Sequence, residues 1–225
     1  MDKFQTVLQR YDEVLREVSD LSSEATLVLA TKTVSQEVLV GLSEARSPVI
    51  FGENKVQELL EKYFTAPSVT WHFIGRLQTN KVKYIVDKVS MIQSVDSLRL
   101  AEEIEKRASK IDKRMDVLIE VNIGEEESKG GVPLSELDGL IEAVNAMPHL
   151  RFRGLMSVLP NAEESLLIPL YAELKRTFDR VREKYGPDVR YLSAGMSGDY
   201  ALALENGSNM VRIGSAVFGE RIYNK

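Results

Sequence analysis

The sequence predicts an α/β protein, a (β/α)8 barrel of the TIM type with an extra helix at its N-terminus. Short apolar runs alternate with longer amphipathic ones along the whole chain, which is the mark of βαβ units and a parallel sheet. Eight short runs can be counted. The 225 residues fall where such barrels form one unit, ~200–250 residues, so residues 1–225 are read as a single domain. An open doubly wound sheet is the alternative. It more often carries a glycine fingerprint after its first strand, and here that place holds Thr31-Lys32-Thr33-Val34-Ser35.

Residues 3–19 set Phe4, Val7, Leu8, Tyr11, Val14, Leu15 and Val18 at helical spacing, with charges between them. That is an amphipathic helix ahead of the first strand. The strand candidates follow as LVLAT (27–31), VIFG (49–52), WHFIG (71–75), MIQSV (91–95), DVLIEVN (116–122), RFRGLMSV (151–158), RYLSA (190–194) and MVRIGSAV (210–217). Helical patterns lie between them as NKVQELLEKY (54–63), SLRLAEEIEKRASK (97–110), LSELDGLIEAVNAM (134–147) and LIPLYAELKRTFDRVREKY (167–185). A short helix over 200–205 is expected to stop at Gly207.

Composition excludes several classes. The chain has no cysteine, so disulfides, thiolate catalysis and Cys-based zinc sites are out. A formal charge of −5 argues against nucleic acid as a partner. No apolar run approaches the ~20 residues of a membrane span. The charged N-terminus lacks the apolar region of a signal peptide. A cytoplasmic, monomeric protein with no membrane contact is expected. His72 and His149 are far apart in sequence, which leaves metal catalysis the weakest reading. His72 reads as a hydrogen-bonded interior residue, and His149 lies before the sixth strand, at the other rim.

Chemistry in a barrel gathers at the C-terminal strand ends, and those ends are rich in polar residues here. The first ends on Lys32. If Lys32 points inward, alternation places Val28 and Ala30 inside and Leu27 and Leu29 outside. A partly desolvated amine holds more of its free base and can attack a carbonyl to form a Schiff base. An ordinary strand-end lysine reaching for water is the plainer reading. The last two strands run into Ser193-Ala194-Gly195-Met196-Ser197 and Gly214-Ser215, small residues and hydroxyls where barrels often bind phosphate. Arg212 shares a strand face with Gly214, and either contacts a ligand acceptor or pairs with Glu120 inside the barrel. Together the amine, the phosphate cup and the arginine match pyridoxal 5′-phosphate (PLP), with the aldehyde on Lys32, the phosphate among Ser197, Gly214 and Ser215, and the ring nitrogen facing Arg212.

The motifs ATKTVS (30–35), FGENKVQE (51–58), WHFIGRLQTNK (71–81), RGLMSV (153–158), LSAGMSGDYALAL (192–204) and VRIGSAVFGER (211–221) cover nearly the whole chain in order. By them the chain resembles the pyridoxal phosphate homeostasis proteins (PROSC and YggS-like proteins), which are similar to the N-terminal barrel of alanine racemase, the fold-type III PLP-binding arrangement. The resemblance implies that Lys32 carries the cofactor and Arg212 faces the pyridine nitrogen. It places Ser197, Gly214 and Ser215 on the phosphate, with Asn54, Met156 and Ser157 near the ring. It implies a carrier serving intracellular vitamin B6 homeostasis without robust turnover, with apo PLP-dependent enzymes as recipients. A racemase-like PLP enzyme is the alternative. It is disfavoured because the sequence ends eight residues after the last strand run, with no room for the racemase's second domain. A cofactor-free barrel aldolase using Lys32 is a third reading. The segment 124–132 reads as a charged loop, with transient capture of the aldehyde by Lys129 during hand-over as the lesser alternative.

Overall fold

A computed structural model describes residues 2–124 and 130–219. Eight parallel strands close into a barrel in sequence order, the first pairing with both the second and the eighth. They are β1 (Thr26–Ala30), β2 (Val49–Glu53), β3 (Val69–Phe73), β4 (Met91–Val95), β5 (Met115–Glu120), β6 (Leu150–Met156), β7 (Tyr191–Ser193) and β8 (Met210–Ile213). The helices are α1 (Lys3–Leu21), α2 (Gln36–Ala45), α3 (Val56–Lys62), α4 (Leu98–Ser109), α5 (Leu134–Asn145), α6 (Glu164–Tyr185), α7 (Tyr200–Glu205) and α8 (Ser215–Phe218). A 3-10 helix over Thr79–Tyr84 follows β3. Among the described residues no helix is long and apolar enough to cross a membrane.

Two apolar layers follow from strand alternation. Val28, Ile74, Met91, Leu118, Met156 and Met210, with Ala30, Ile50, Val158 and Tyr191, fill the barrel. Leu29, Phe51, Phe73, Ile92, Val117, Leu155 and Ile213 point outward into the larger core shared with the helices. The parity expected for the first strand holds: Val28 and Ala30 are inside, while Leu27 and Leu29 pack outside.

Helix α1 buries Val7, Leu8, Tyr11, Val14 and Val18 and packs on α2, α7 and α8. It fills out a helical layer in which α8 has only four residues. Phe4 of α1 lies so close to Gly41 of α2 that a Cβ there would stand 2.9 Å from the ring.

The last strand is shorter than expected. The run 210–217 divides at Gly214, and Ser215 opens α8. Buried apolar residues on both sides of the break, Ile213 and Val217, made the two elements read as one run. Gly207 closes α7 as expected, at φ +94°, a conformation that favours glycine.

Candidate functional site

The turn after β1 is held from outside the barrel. Thr31 is fully buried and donates its hydroxyl to Glu53 Oε1 at 2.7 Å. The chain then reverses, Val34 N–H donating to the Thr31 carbonyl at 2.9 Å. Thr33 takes φ +67°, an outlier for a β-branched residue that persists only when its surroundings enforce it. Glu58 does so, its Oε2 accepting from Thr33 N–H at 2.8 Å. Lys62 Nζ completes the clamp, donating to the Thr31 carbonyl at 2.8 Å, Glu53 Oε1 at 2.6 Å and Glu58 Oε2 at 3.2 Å. The other Glu53 oxygen accepts from Asn54 N–H at 3.0 Å.

Lys32 lies between the two clamped residues and is itself partly buried. Among the described residues its ammonium has no hydrogen bond and no ion pair. Glu53, Glu58 and Lys62 were not among the predicted site residues. The i,i+4 pairing of Glu58 with Lys62 on α3 is a signal the sequence carries. The reach from Glu53 to Thr31 is not.

Arg212 is 4% exposed and stands opposite Val28 in the β1–β8 register, so it points into the barrel. Its Nη1 donates to Ser193 Oγ at 2.8 Å and its Nη2 to the Ser157 carbonyl at 2.9 Å. Of the two readings left open for it, the contact ion pair with Glu120 is not formed. Burial lowers the Arg212 pKa, and Glu120, Tyr171 and Asp199 raise it from a distance. Burial also raises the Glu120 carboxyl, with Asp96 adding to the rise and Arg212 and Arg76 opposing it.

Ser193 donates to Gln93 Oε1 at 2.7 Å, and Gln93 Nε2 lies 3.0 Å from His72 Nδ1. His72 is therefore the hydrogen-bonded interior residue expected. Burial alone holds its pKa down to about 4. His149 lies at the strand starts, bound to Glu105 at 2.8 Å.

Beyond β7 and β8 the two loops expected to meet are bonded to each other. Ser197 Oγ accepts from Gly214 N–H at 3.1 Å and Ala216 N–H at 3.2 Å, binding the first turn of α8 to the β7 loop. Asp199 ties that loop from within. Its Oδ1 accepts from Met196 N–H at 2.7 Å and its Oδ2 from the Tyr171 hydroxyl at 2.5 Å. Ser215 is exposed beside it.

Met156 lies in the inner apolar cluster, 1% exposed. Asn54 keeps a buried Oδ1 with no partner, and its backbone lies so close to Gly75 that a Cβ there would sit 2.1 Å from the Asn54 carbonyl oxygen. The Ser157 hydroxyl donates to the Val121 carbonyl at 2.8 Å, so this residue meets the site through its own carbonyl on Arg212. On the open flank beyond Asn54, a cavity of about 920 Å³ carries Lys55, Arg76, Lys81 and Arg99 against one carboxylate, Asp96. Lys129 lies outside the described residues.

Among the described residues, an amine without a partner, a guanidinium fixed on two oxygens, an orphaned amide oxygen and the hydroxyl-bearing β7 and β8 loops at one rim suit a planar, phosphorylated aldehyde.

Comparison with known proteins gives a consistent picture. Residues 9–222 match the family model described as alanine racemase, N-terminal domain. The pyridoxal phosphate homeostasis protein of Aquifex aeolicus is 41% identical over 225 residues, 99% of this chain and 98% of that one. The structure of PipY from Synechococcus elongatus with PLP bound superposes with a TM-score of 0.81 at 26% identity, covering 95% of this chain and all of that one. Alanine racemase from Corynebacterium glutamicum, at 16% identity and a TM-score of 0.74, shares the fold over 99% of this chain and 63% of its own.

Proposed function

The chain belongs to the family of the alanine racemase N-terminal domain, and from that premise we propose that it is a pyridoxal phosphate homeostasis protein that holds its cofactor covalently through Lys32. Bound PLP supplies an aldehyde that condenses reversibly with an amine. The observation that carries the reading is Lys32 itself, a half-buried lysine with no partner among the described residues, on a turn whose neighbours on both sides are clamped.

Each residue has a task. Thr31 and Thr33 fix where the Lys32 amine emerges. Ser197, Gly214 and Ser215 surround the phosphate with hydroxyls and backbone N–H groups. Arg212 presents its remaining donors to the ring nitrogen. Met156 forms the apolar floor, Asn54 offers its free Oδ1 beside the ring, and Ser157 holds the guanidinium through its carbonyl. Because an arginine stays protonated, the ring nitrogen opposite it stays unprotonated. That makes the ring a poorer electron sink, which favours holding over turnover. Recipients are other proteins that require the cofactor, approaching over the open, cationic flank. The chain is read as a cytoplasmic monomer.

Purified protein should absorb in the violet, and borohydride should fix the label on Lys32, read by mass spectrometry of its peptide. Lys32→Ala should lose both signals. Retention of the full violet band by that variant would overturn the assignment. Exchange of solvent deuterium into the α-carbon of added amino acids should be slow; rapid, Lys32-dependent exchange would favour an enzyme.

A further inference from the structure

The barrel interior holds a polar chain that neither the phosphate cup nor the Lys32 turn requires. We infer that His72, Gln93 and Ser193 are positioning residues that fix the hydrogen-bond direction and the plane of Arg212. The inference rests on the reading of Arg212 as the group that faces the cofactor ring.

The direction follows from donor counting. A guanidinium can only donate. Ser193 Oγ therefore accepts from Arg212 Nη1 at 2.8 Å and passes its own proton to Gln93 Oε1 at 2.7 Å. That fixes the Gln93 amide, whose Nε2 must face His72 Nδ1 at 3.0 Å and Met210 Sδ at 3.2 Å. His72 Nδ1 is then an acceptor, and the ring is neutral with its proton on Nε2. Turning any one member would set two donors or two acceptors against each other. Ser193 and Gln93 are 0% exposed, Arg212 4% and His72 5%, so water offers no easy substitute.

The plane follows from the second contact. With Nη1 on Ser193 and Nη2 on the Ser157 carbonyl, the guanidinium is held from two strands and cannot rotate about its own axis. Burying polar groups is costly, and an apolar filling of the same volume is often more stable. A chain that crosses from β3 through β4 and β7 to end on one cation is explained by the orientation it gives that cation.

The relay can be tested without cofactor. Nitrogen-15 NMR of His72 in cofactor-free protein should show Nδ1 bare and Nε2 protonated between about pH 6 and 8. A proton on Nδ1 would overturn the direction. Gln93→Glu removes the donor to His72, so the proton should move to Nδ1 while the melting transition stays cooperative. An unchanged His72 spectrum would count against the relay.

In loaded protein, Ser193→Ala should weaken cofactor retention about tenfold, the loss expected for a hydrogen bond to a charged group, and should shift the absorption maximum. Gln93→Met serves the same purpose if Ser193→Ala folds poorly. Ser94, equally buried on β4 with an unpaired hydroxyl, is the control, and Ser94→Ala should leave retention and spectrum alone. Wild-type retention and spectrum in Ser193→Ala and Gln93→Met would refute positioning. If wild-type protein takes up no cofactor, the proposed function fails, while the NMR result still decides whether the relay exists.

Discussion

Two buried cations, Lys62 and Arg212, stand on either side of the barrel wall at the same rim, and they are compensated in opposite ways. Lys62, its side chain 9% exposed, sits outside the sheet against two carboxylates and a carbonyl. Arg212, inside, meets only neutral oxygens at contact distance among the described residues and feels Glu120 from further away. Charge cancelled by contact leaves a strut that holds the Lys32 turn. Charge left uncancelled keeps its attraction for an acceptor that enters from solution. The same physical problem, a cation out of water, is solved once with carboxylates in contact and once with neutral oxygens, and the proposed function assigns the second to binding.

The comparison can be broken by truncation. Lys62→Ala should be the most damaging change, because it leaves Glu53, whose side chain is 0% exposed, as a buried carboxylate without its cation. A loss of roughly 3–5 kcal/mol is expected in urea unfolding. The double variant Glu53→Gln/Lys62→Met should recover most of that loss, and failure to recover would show that the pair is not one unit.

Acid should reveal the inner chain. The folded pKa of His72, about 4, lies below its ordinary 6.5, so the unfolded chain takes the proton first as pH falls. Stability from this residue is fully present above pH 6.5 and drains away between 6.5 and 4, by a total on the order of 3 kcal/mol. Glu120, with its pKa raised, works in the other direction, its contribution fading as pH rises through the raised value. His72→Asn should flatten the His72 limb of a stability–pH curve.

Arg212→Met should cost less stability than Lys62→Ala, roughly 1–2 kcal/mol for the Ser157 carbonyl left without its donor, while cofactor retention measured by dialysis collapses. A stability loss equal to that of Lys62→Ala would erase the distinction. Smallest of all, Ser197→Ala should cost about 1 kcal/mol by freeing two N–H groups at the start of α8, with weaker retention of inorganic phosphate as the second readout.

The sequence made the barrel legible because eight short apolar runs alternate with helical ones, although the last run took in α8 as well as β8. It also made Arg212 legible as an inward residue, since Gly214 two positions on fixed its face. It missed α2, where Val38, Leu39, Val40 and Leu42 crowd around Gly41 with no clean helical stripe, and the 3-10 helix after β3, whose period matches neither template. The clamp on the Lys32 turn was invisible for a different reason. Glu53 lies 22 residues from Thr31, and only strand pairing brings them together. Strand alternation likewise gives no sign that the Ser157 hydroxyl bonds the Val121 carbonyl, because the backbone is already turning at the end of β6.

Thr33 gives the molecule a modular character. Its left-handed backbone is maintained by a carboxylate one strand and half a helix downstream, so segment 30–35 does not carry its own shape. Grafting the lysine onto another scaffold would require moving residues 53–62 with it as a single cassette. Without them the transplanted loop would relax, and its amine would emerge somewhere else.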